Sequence, residues 1–455
     1  MVFMIGSVLP RPSGRQEVSP VMKRWVHYKP PRWPALAMAL LLAGAWLVIG
    51  LPSQAAPGQA GKGAGHGHAR NIILIVGDGT SHSLLQAARL VAAGPSGRLA
   101  VDELPHTASV LTHSANSLVT DSAAAATAMA TGVKTVNGAV GVDAGGKAVP
   151  TVLERAKAAG KAVGLVTTSY ITDATPAAFA AHVTNRADTT AIAAQMLERG
   201  VDVILGGGEN DFLPADQNGC YPQPGKRTDG RDLMAEARSQ GYTTICRADE
   251  LDELAGRPVK KVLGLFADGD LFPALYQEVG AAAGDDGGKS GGDVPSLATM
   301  TARAIEVLAR NPKGFFLLVE EEGTDELAHA RDVAGAVRAA RGLDAAVEVA
   351  LRFARDRRDT LVIVVGDHET GGLAIQGTGN GYSSDPQAPC PAGAEGPFRT
   401  PDGQAFCLSQ ATAAHTGQPV PIAAYGPGAA RVTGVLDNTD VARIMLAAMG
   451  LNRKP

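Results

Sequence analysis

"IILIVGDG", residues 72–79, is an unbroken apolar run that ends on an aspartate between two glycines. A run this short, rich in β-branched residues and without polar alternation, predicts a strand buried on both faces. The same construction recurs in "AVGLVTT" (162–168), "VDVIL" (201–205), "VLGLF" (262–266), "FFLLVE" (315–320) and "TLVIVV" (360–365). Between these runs lie segments of helical periodicity, "LLQAARLVAA", "TVLERAKAA", "TTAIAAQMLERG", "LATMTARAIEVLAR" and "VAGAVRAARGLDAAVEVALRFAR". Apolar strands alternating with amphipathic helices predict an α/β fold, a mostly parallel central sheet with helices on both faces. In such a sheet ligands gather beyond the carboxyl ends of the strands, so the residues after each run come first as site candidates.

Those positions are rich in metal-binding side chains. Asp78 follows the first run; Glu320, Asp325 and His329 follow "FFLLV"; Asp367 and His368, in "GDHETGG", follow "TLVIVV". His415 precedes a further strand-like run in "AAHTGQPVPI". Taken singly, each acid has an ordinary reading as a helix cap or a solvated charge. Three strands ending this way form a donor supply in which mixed histidine and carboxylate ligands suit zinc, and all-oxygen sets suit magnesium. Asp325 and His329 are spaced to share one helix face. Adjacent Asp367 and His368 can converge only on irregular backbone. Paired metals can clamp the attacking and leaving oxygens of a phosphoryl displacement. Upstream, "VTDSAAAATAMATG" (119–132) opens a run of small residues with Asp121 and Ser122, which leaves Ser122 open as helix cap or nucleophile.

"IVGDGT", "VTDSAAAATAMATG", "TDATPAAFAAHVTNR", "FFLLVEEEGTDELAH", "VVGDHETGG" and "HTGQPVPIAAYGP", in this order from about residue 70 to the C-terminus, together resemble the alkaline phosphatase family. The resemblance implies that family's three-layer sandwich and hydrolysis of phosphate monoesters through a covalent phosphoserine, with two zinc ions and one magnesium ion. It also implies a homodimer, common in the family. Ser122 matches the nucleophile and Arg186 the arginine that grips phosphate, with Asp121 also expected at the substrate. Asp78 resembles the ligand shared by one zinc and the magnesium, and Asp367 and His368 complete that zinc. Asp325, His329 and His415 match the ligands of the other zinc. Thr175 and Glu320 match magnesium ligands, and Asp173 a position that holds magnesium-bound water. "VEEEG" offers three glutamates, and the family's spacing back from Asp325 selects Glu320.

Plainer readings stand beside these roles. Asp173, or Thr175 ahead of Pro176, can simply start a helix, and Arg186 alone reads as a surface arginine. His182 reads as a structural residue and is left out of the metal sites. One departure stands out: Glu326 follows the zinc-ligand aspartate where the family often has lysine or histidine. It is expected to point away from the phosphate or to meet a cation. Competing functions are a phosphodiesterase or a sulfatase, although "DSAAAA" lacks the Cys/Ser-x-Pro-x-Arg motif of the latter. A non-catalytic exported phosphate- or metal-binding protein is the reading outside enzymes.

The chain has 455 residues, 45% hydrophobic and 19% charged, with a formal net charge of −4 that gives no support to a nucleic-acid partner or an anionic membrane surface. Basic residues between Lys23 and Arg32, the apolar "ALAMALLLAGAWLVIGL" (35–51) and the small residues of "PSQAAPGQA" predict a secretory signal. Cleavage is expected near Ala55 or Ala56, with Met22 as an alternative start. A retained anchor is the competing reading, the apolar stretch being at the short limit for spanning. The expected organisation is a signal region over 1–56, a Gly-rich linker over 57–70 and a catalytic domain over 71–455. The mature protein is expected to be exported, without a stable membrane anchor. Cys220, Cys246, Cys390 and Cys407 predict two sequence-local disulfides, Cys220–Cys246 and Cys390–Cys407. The spacings lack the close pair of a four-cysteine zinc site. Segments 206–232 and 376–410 are expected to be irregular excursions stapled by these bridges around an active-site rim, and 280–295 a mobile loop.

Overall fold

The computed structural model describes residues 68–276 and 294–452. The signal region, most of the linker and residues 280–293 of the expected mobile loop lie outside the described residues. Among the described residues, Ala69 N–H donates to Ala448 O (2.7 Å).

The strands are β1 (Asn71–Gly77), β2 (His106–Leu111), β3 (Ala162–Tyr170), β4 (Val203–Gly207), β5 (Thr243–Ile245), β6 (Val262–Leu265), β7 (Phe315–Glu321), β8 (Thr360–Gly366), β9 (Glu369–Thr370), β10 (Leu373–Gln376), β11 (Ala394–Arg399), β12 (Ala405–Gln410), β13 (His415–Thr416), β14 (Val420–Tyr425) and β15 (Val435–Asp437). Ten of them form one sheet in the order β15-β2-β14-β8-β1-β7-β3-β4-β6-β5. Every pairing is parallel except those of β14, which lies antiparallel between β8 and β2. This is the expected mostly parallel sheet, and all six apolar runs are strands of it. The run after His415 supplies β14.

Both faces are covered. Successive strand side chains point to opposite sides, so Ile72, Leu74 and Val76 enter one core while Ile73 and Ile75 enter the other. The first core is closed by helices Ser122–Thr131, Val152–Ala158, Ala174–Ala180 and Asn438–Met449. The second is closed by His82–Ala93, Leu297–Leu308 and Val333–Arg355. Helix Ser122–Thr131 is buried along almost its whole length. Its small side chains let neighbouring helices approach from all sides without leaving voids.

Segment 376–410 is a correction to the expected irregular excursion. Its second half folds as β11 and β12, which join β10 in a three-stranded antiparallel sheet. The "TPDGQ" turn (400–404) reverses the chain, with Thr400 N–H donating to Gln404 O. Phe398 and Phe406 then stack across the pair with ring centroids 5.6 Å apart. Both expected disulfides are present, Cys220–Cys246 and Cys390–Cys407. Among the described residues no helix is long and apolar enough to cross a membrane.

Candidate active site

The three strands that end in metal-type side chains are neighbours, in the order β8-β1-β7. In register, Val76 pairs with Glu320 and Gly77 with Gly366. Asp78 and Asp367 therefore emerge at one level on the carboxyl edge, with Glu320 two residues below them. Gly79 makes the crowding tolerable: its φ is 64°, and a Cβ there would stand 2.6 Å from Asp325 Oδ1 and 2.9 Å from Thr370 Oγ1. Its N–H donates to Asp367 Oδ1 (3.0 Å).

Around Ser122, one nitrogen faces three oxygens. His368 Nε2 lies 3.2 Å from Ser122 Oγ, 3.2 Å from Asp78 Oδ1 and 3.2 Å from Asp367 Oδ2. Asp121 is the helix cap, accepting from Ala124 N–H (2.9 Å), so Ser122 is the first helical residue. The other Asp121 oxygen accepts from Gly138 N–H (2.8 Å). Arg186 N–H in turn donates to Gly138 O (2.8 Å). Asp121, expected at the substrate, thus accepts from two backbone donors and also lies 3.8 Å from Arg186 Nη1.

A second group is rich in histidine. His329 Nε2 lies 3.1 Å from Asp325 Oδ2 and 3.0 Å from His415 Nε2. Each histidine is oriented from behind: His329 Nδ1 faces Ala413 O (2.7 Å) and His415 Nδ1 faces Thr120 O (2.9 Å). A ring whose Nδ1–H bonds a carbonyl presents Nε2 as the ligand atom. Helix Gly323–His329 brings Asp325 and His329 onto one face, as the spacing predicts. Thr370 Oγ1 donates to Asp325 and stands 3.3 Å from His368 Nδ1, linking the two groups.

The third group is all oxygen. Asp78, Glu320 and Glu322 each offer a carboxylate oxygen within 4.8 Å of the others. Two glutamates of "VEEEG" reach this group, Glu320 from the end of β7 and Glu322 from the turn into helix Gly323–His329. Glu321 between them accepts instead from Thr168 (2.7 Å) and Tyr276 (2.6 Å). Asp173 caps helix Ala174–Ala180 and also accepts from Arg186 Nη2 (2.6 Å), Tyr170 OH (2.9 Å) and Ser169 Oγ (2.8 Å). Pro176 is accordingly inside the helix rather than at its first position.

The electrostatics suit cations. Burial first, and then neighbouring carboxylates, push Asp78, Glu320, Glu322 and Asp367 well above the usual acid range. Burial also lowers His368 to about 4, keeping its imidazole neutral. Burial opposes ionisation of Asp325, but hydrogen bonds from His329 and His415 outweigh it and hold the carboxyl low. The Asp325 hydrogen bond raises His329 to about 9. Asp78 Oδ1, Asp367 Oδ2, Glu320 Oε1 and Thr175 Oγ1 are buried without a hydrogen-bond partner. Buried oxygens are left unpaired only at a cost of about 1–3 kcal/mol each, and more when charged. Their convergence fits divalent cations.

A family model for alkaline phosphatase matches residues 69–389. The chain belongs to the alkaline phosphatase family. It is 38% identical to alkaline phosphatase of Escherichia coli K12, over 84% of this chain and 86% of that one. It is 36% identical to streptomycin-6-phosphate phosphatase of Streptomyces griseus, over 90% of this chain and 97% of the relative. Among solved structures, a mutant alkaline phosphatase from the Antarctic bacterium TAB5 with Mg bound in its M3 site is 28% identical, with a TM-score of 0.69. That similarity covers 85% of this chain and 99% of the other. Phosphate monoester hydrolysis is the activity expected of this family member, and the site offers candidate metal groups for it.

Glu326 is exposed, and among the described residues it forms no ion pair with lysine or arginine, although it interacts electrostatically with His329. One of its oxygens lies within 4.8 Å of oxygens of Glu322 and Asp325, because the first turn of helix Gly323–His329 faces the site. His182 is structural, bonded to Gly141 O and Glu154. Sequence reasoning missed Tyr170, Thr370 and Glu322. The first closes an apolar strand and the second lies inside "GDHETGG", so inspecting strand ends for hydroxyls as well as charges finds both.

Proposed function

We propose that Ser122 is the nucleophile of a phosphomonoester hydrolysis that passes through a covalent phosphoserine. The observation that carries this reading is Ser122 Oγ at the start of a buried helix, 3.2 Å from His368 Nε2. Asp78, Asp367 and His368 would hold one zinc ion, Asp325, His329 and His415 a second, and Asp78, Thr175 and Glu320 a magnesium ion. Asp173 would orient magnesium-bound water. When bound, these cations supply Lewis-acid polarisation of the phosphoryl oxygens and activation of hydroxyl nucleophiles.

The chain's own groups account for the rest. Arg186 presents a planar fork to two phosphoryl oxygens, a geometry suited to the doubly charged group of a monoester. Burial opposes its charge, but Asp173 more than offsets this and keeps the guanidinium protonated. The helix that starts at Ser122 directs its positive dipole end at the incoming anion. Ser122 Oγ gives up its proton to solvent and forms a bond to phosphorus, while the ester oxygen leaves with the bonding pair and takes a proton from water. Water, losing a proton to solvent, then attacks the phosphoserine; the Oγ–P bond breaks, the serine oxygen is reprotonated, and inorganic phosphate departs. Two disulfides support an oxidising, exported setting for the protein.

Ser122→Ala should lower turnover of an aryl phosphate about a thousandfold or more while leaving zinc content unchanged. In the wild type, mass spectrometry of acid-quenched protein should find phosphate on the peptide containing Ser122. Retained turnover in the variant would overturn the reading.

A further inference from the structure

Glu322 is 4% exposed, and among the described residues its carboxylate enters no hydrogen bond or ion pair. It stands at the N-cap position of helix Gly323–His329 but makes no side-chain capping bond. Its backbone N–H donates to Thr168 Oγ1 (2.9 Å), which fixes the residue without engaging the acid. The carboxylate instead faces the oxygen cluster, within 4.8 Å of oxygens of Asp78 and Glu320. The nearby guanidinium of Arg186 is bonded to Asp173 (2.6 Å). A buried carboxylate with no partner is costly, and three facing one another are more so. Glu320 Oε1, Asp78 Oδ1 and Thr175 Oγ1 in the same group lack hydrogen-bond partners as well.

We propose that Glu322 is a further protein ligand of the oxygen-donor cation, beside Asp78, Thr175 and Glu320, making this a three-carboxylate site. A hard divalent cation such as magnesium is the ligand that such a donor set selects. A third carboxylate would strengthen the attraction for such a cation. The family spacing points to Glu320 alone, and Glu322 joins because the chain leaves β7 after Glu321 and turns into helix Gly323–His329 with Glu322 already in helical backbone conformation (φ −85°, ψ −32°).

The inference rests on the reading that Asp78, Thr175 and Glu320 hold magnesium. The test is calorimetric titration of the full zinc-loaded protein with MgCl2, with zinc content measured in parallel. Wild type is compared with Glu322→Gln, Glu322→Ala and Glu320→Gln. Both Glu322 variants should weaken the magnesium Kd about tenfold or more, with zinc content unchanged. A wild-type Kd in either Glu322 variant, while Glu320→Gln weakens binding, overturns the role of Glu322 and leaves the oxygen site standing. No magnesium binding by wild type overturns both.

Discussion

The histidine and oxygen ends of the metal pocket are held in shape by opposite means. At the histidine end, backbone carbonyls of Ala413 and Thr120 fix the rings from behind, and Thr370 bridges Asp325 to His368. The ligand atoms are aimed by bonds that do not depend on a cation. At the oxygen end, Asp78, Glu320 and Glu322 face one another in burial, and one oxygen each of Asp78 and Glu320 meets no donor. Thr167 donates to the other Glu320 oxygen (2.6 Å) and Thr168 holds the Glu322 backbone, but no donor separates the three carboxylates. The first end is organised in advance; the second is proposed to be balanced by the cation it would bind.

Three substitutions probe that contrast. Thr370→Val removes the bridge at the histidine end and should weaken zinc affinity about tenfold, read by competition with a chromogenic chelator. Unchanged affinity would mean that the carbonyls alone orient the ligands. Glu326→Lys, between the two ends, replaces an exposed acid by a cation and should tighten phosphate inhibition about fivefold, the order of one exposed charge pair. An unchanged inhibition constant would show that position 326 does not sense the phosphate. Glu320→Gln should act in opposite directions according to conditions. Without divalent cations it relieves repulsion and raises Tm by about 1–3 °C; in saturating magnesium it lowers Tm by a similar amount. A shift of the same sign in both media would contradict a cation-balanced oxygen end.

The legible part of the fold was the part built on strong periodicity. The six apolar runs are strands, and the long amphipathic segment 333–355 is the helix Val333–Arg355. Strands β2, β5 and β15 escaped because they are short or half-exposed and their residues do not alternate cleanly. The hairpin of β11 and β12 was masked by the glycine and proline of its flanks. At the site, Asp78, Asp367 and His368 were visible because strand ends in a parallel sheet point at one edge. Glu322 was not, since spacing counted from Asp325 selects one glutamate, and the turn that carries Glu322 back toward it lies between β7 and the next helix, where no period marks it. Nor does the sequence disclose that Asp121 and Asp173 are engaged by backbone amides and by Arg186, since those bonds join segments far apart in the chain.

Gly138 gives the site a mechanical property. Its amide is held by the cap of the Ser122 helix, and its carbonyl holds the backbone of Arg186. The proposed nucleophile and the proposed phosphate-gripping arginine are therefore coupled through a single residue, like two jaws of a caliper on one slide. A displacement of Gly138 would shift both mounts together rather than one against the other.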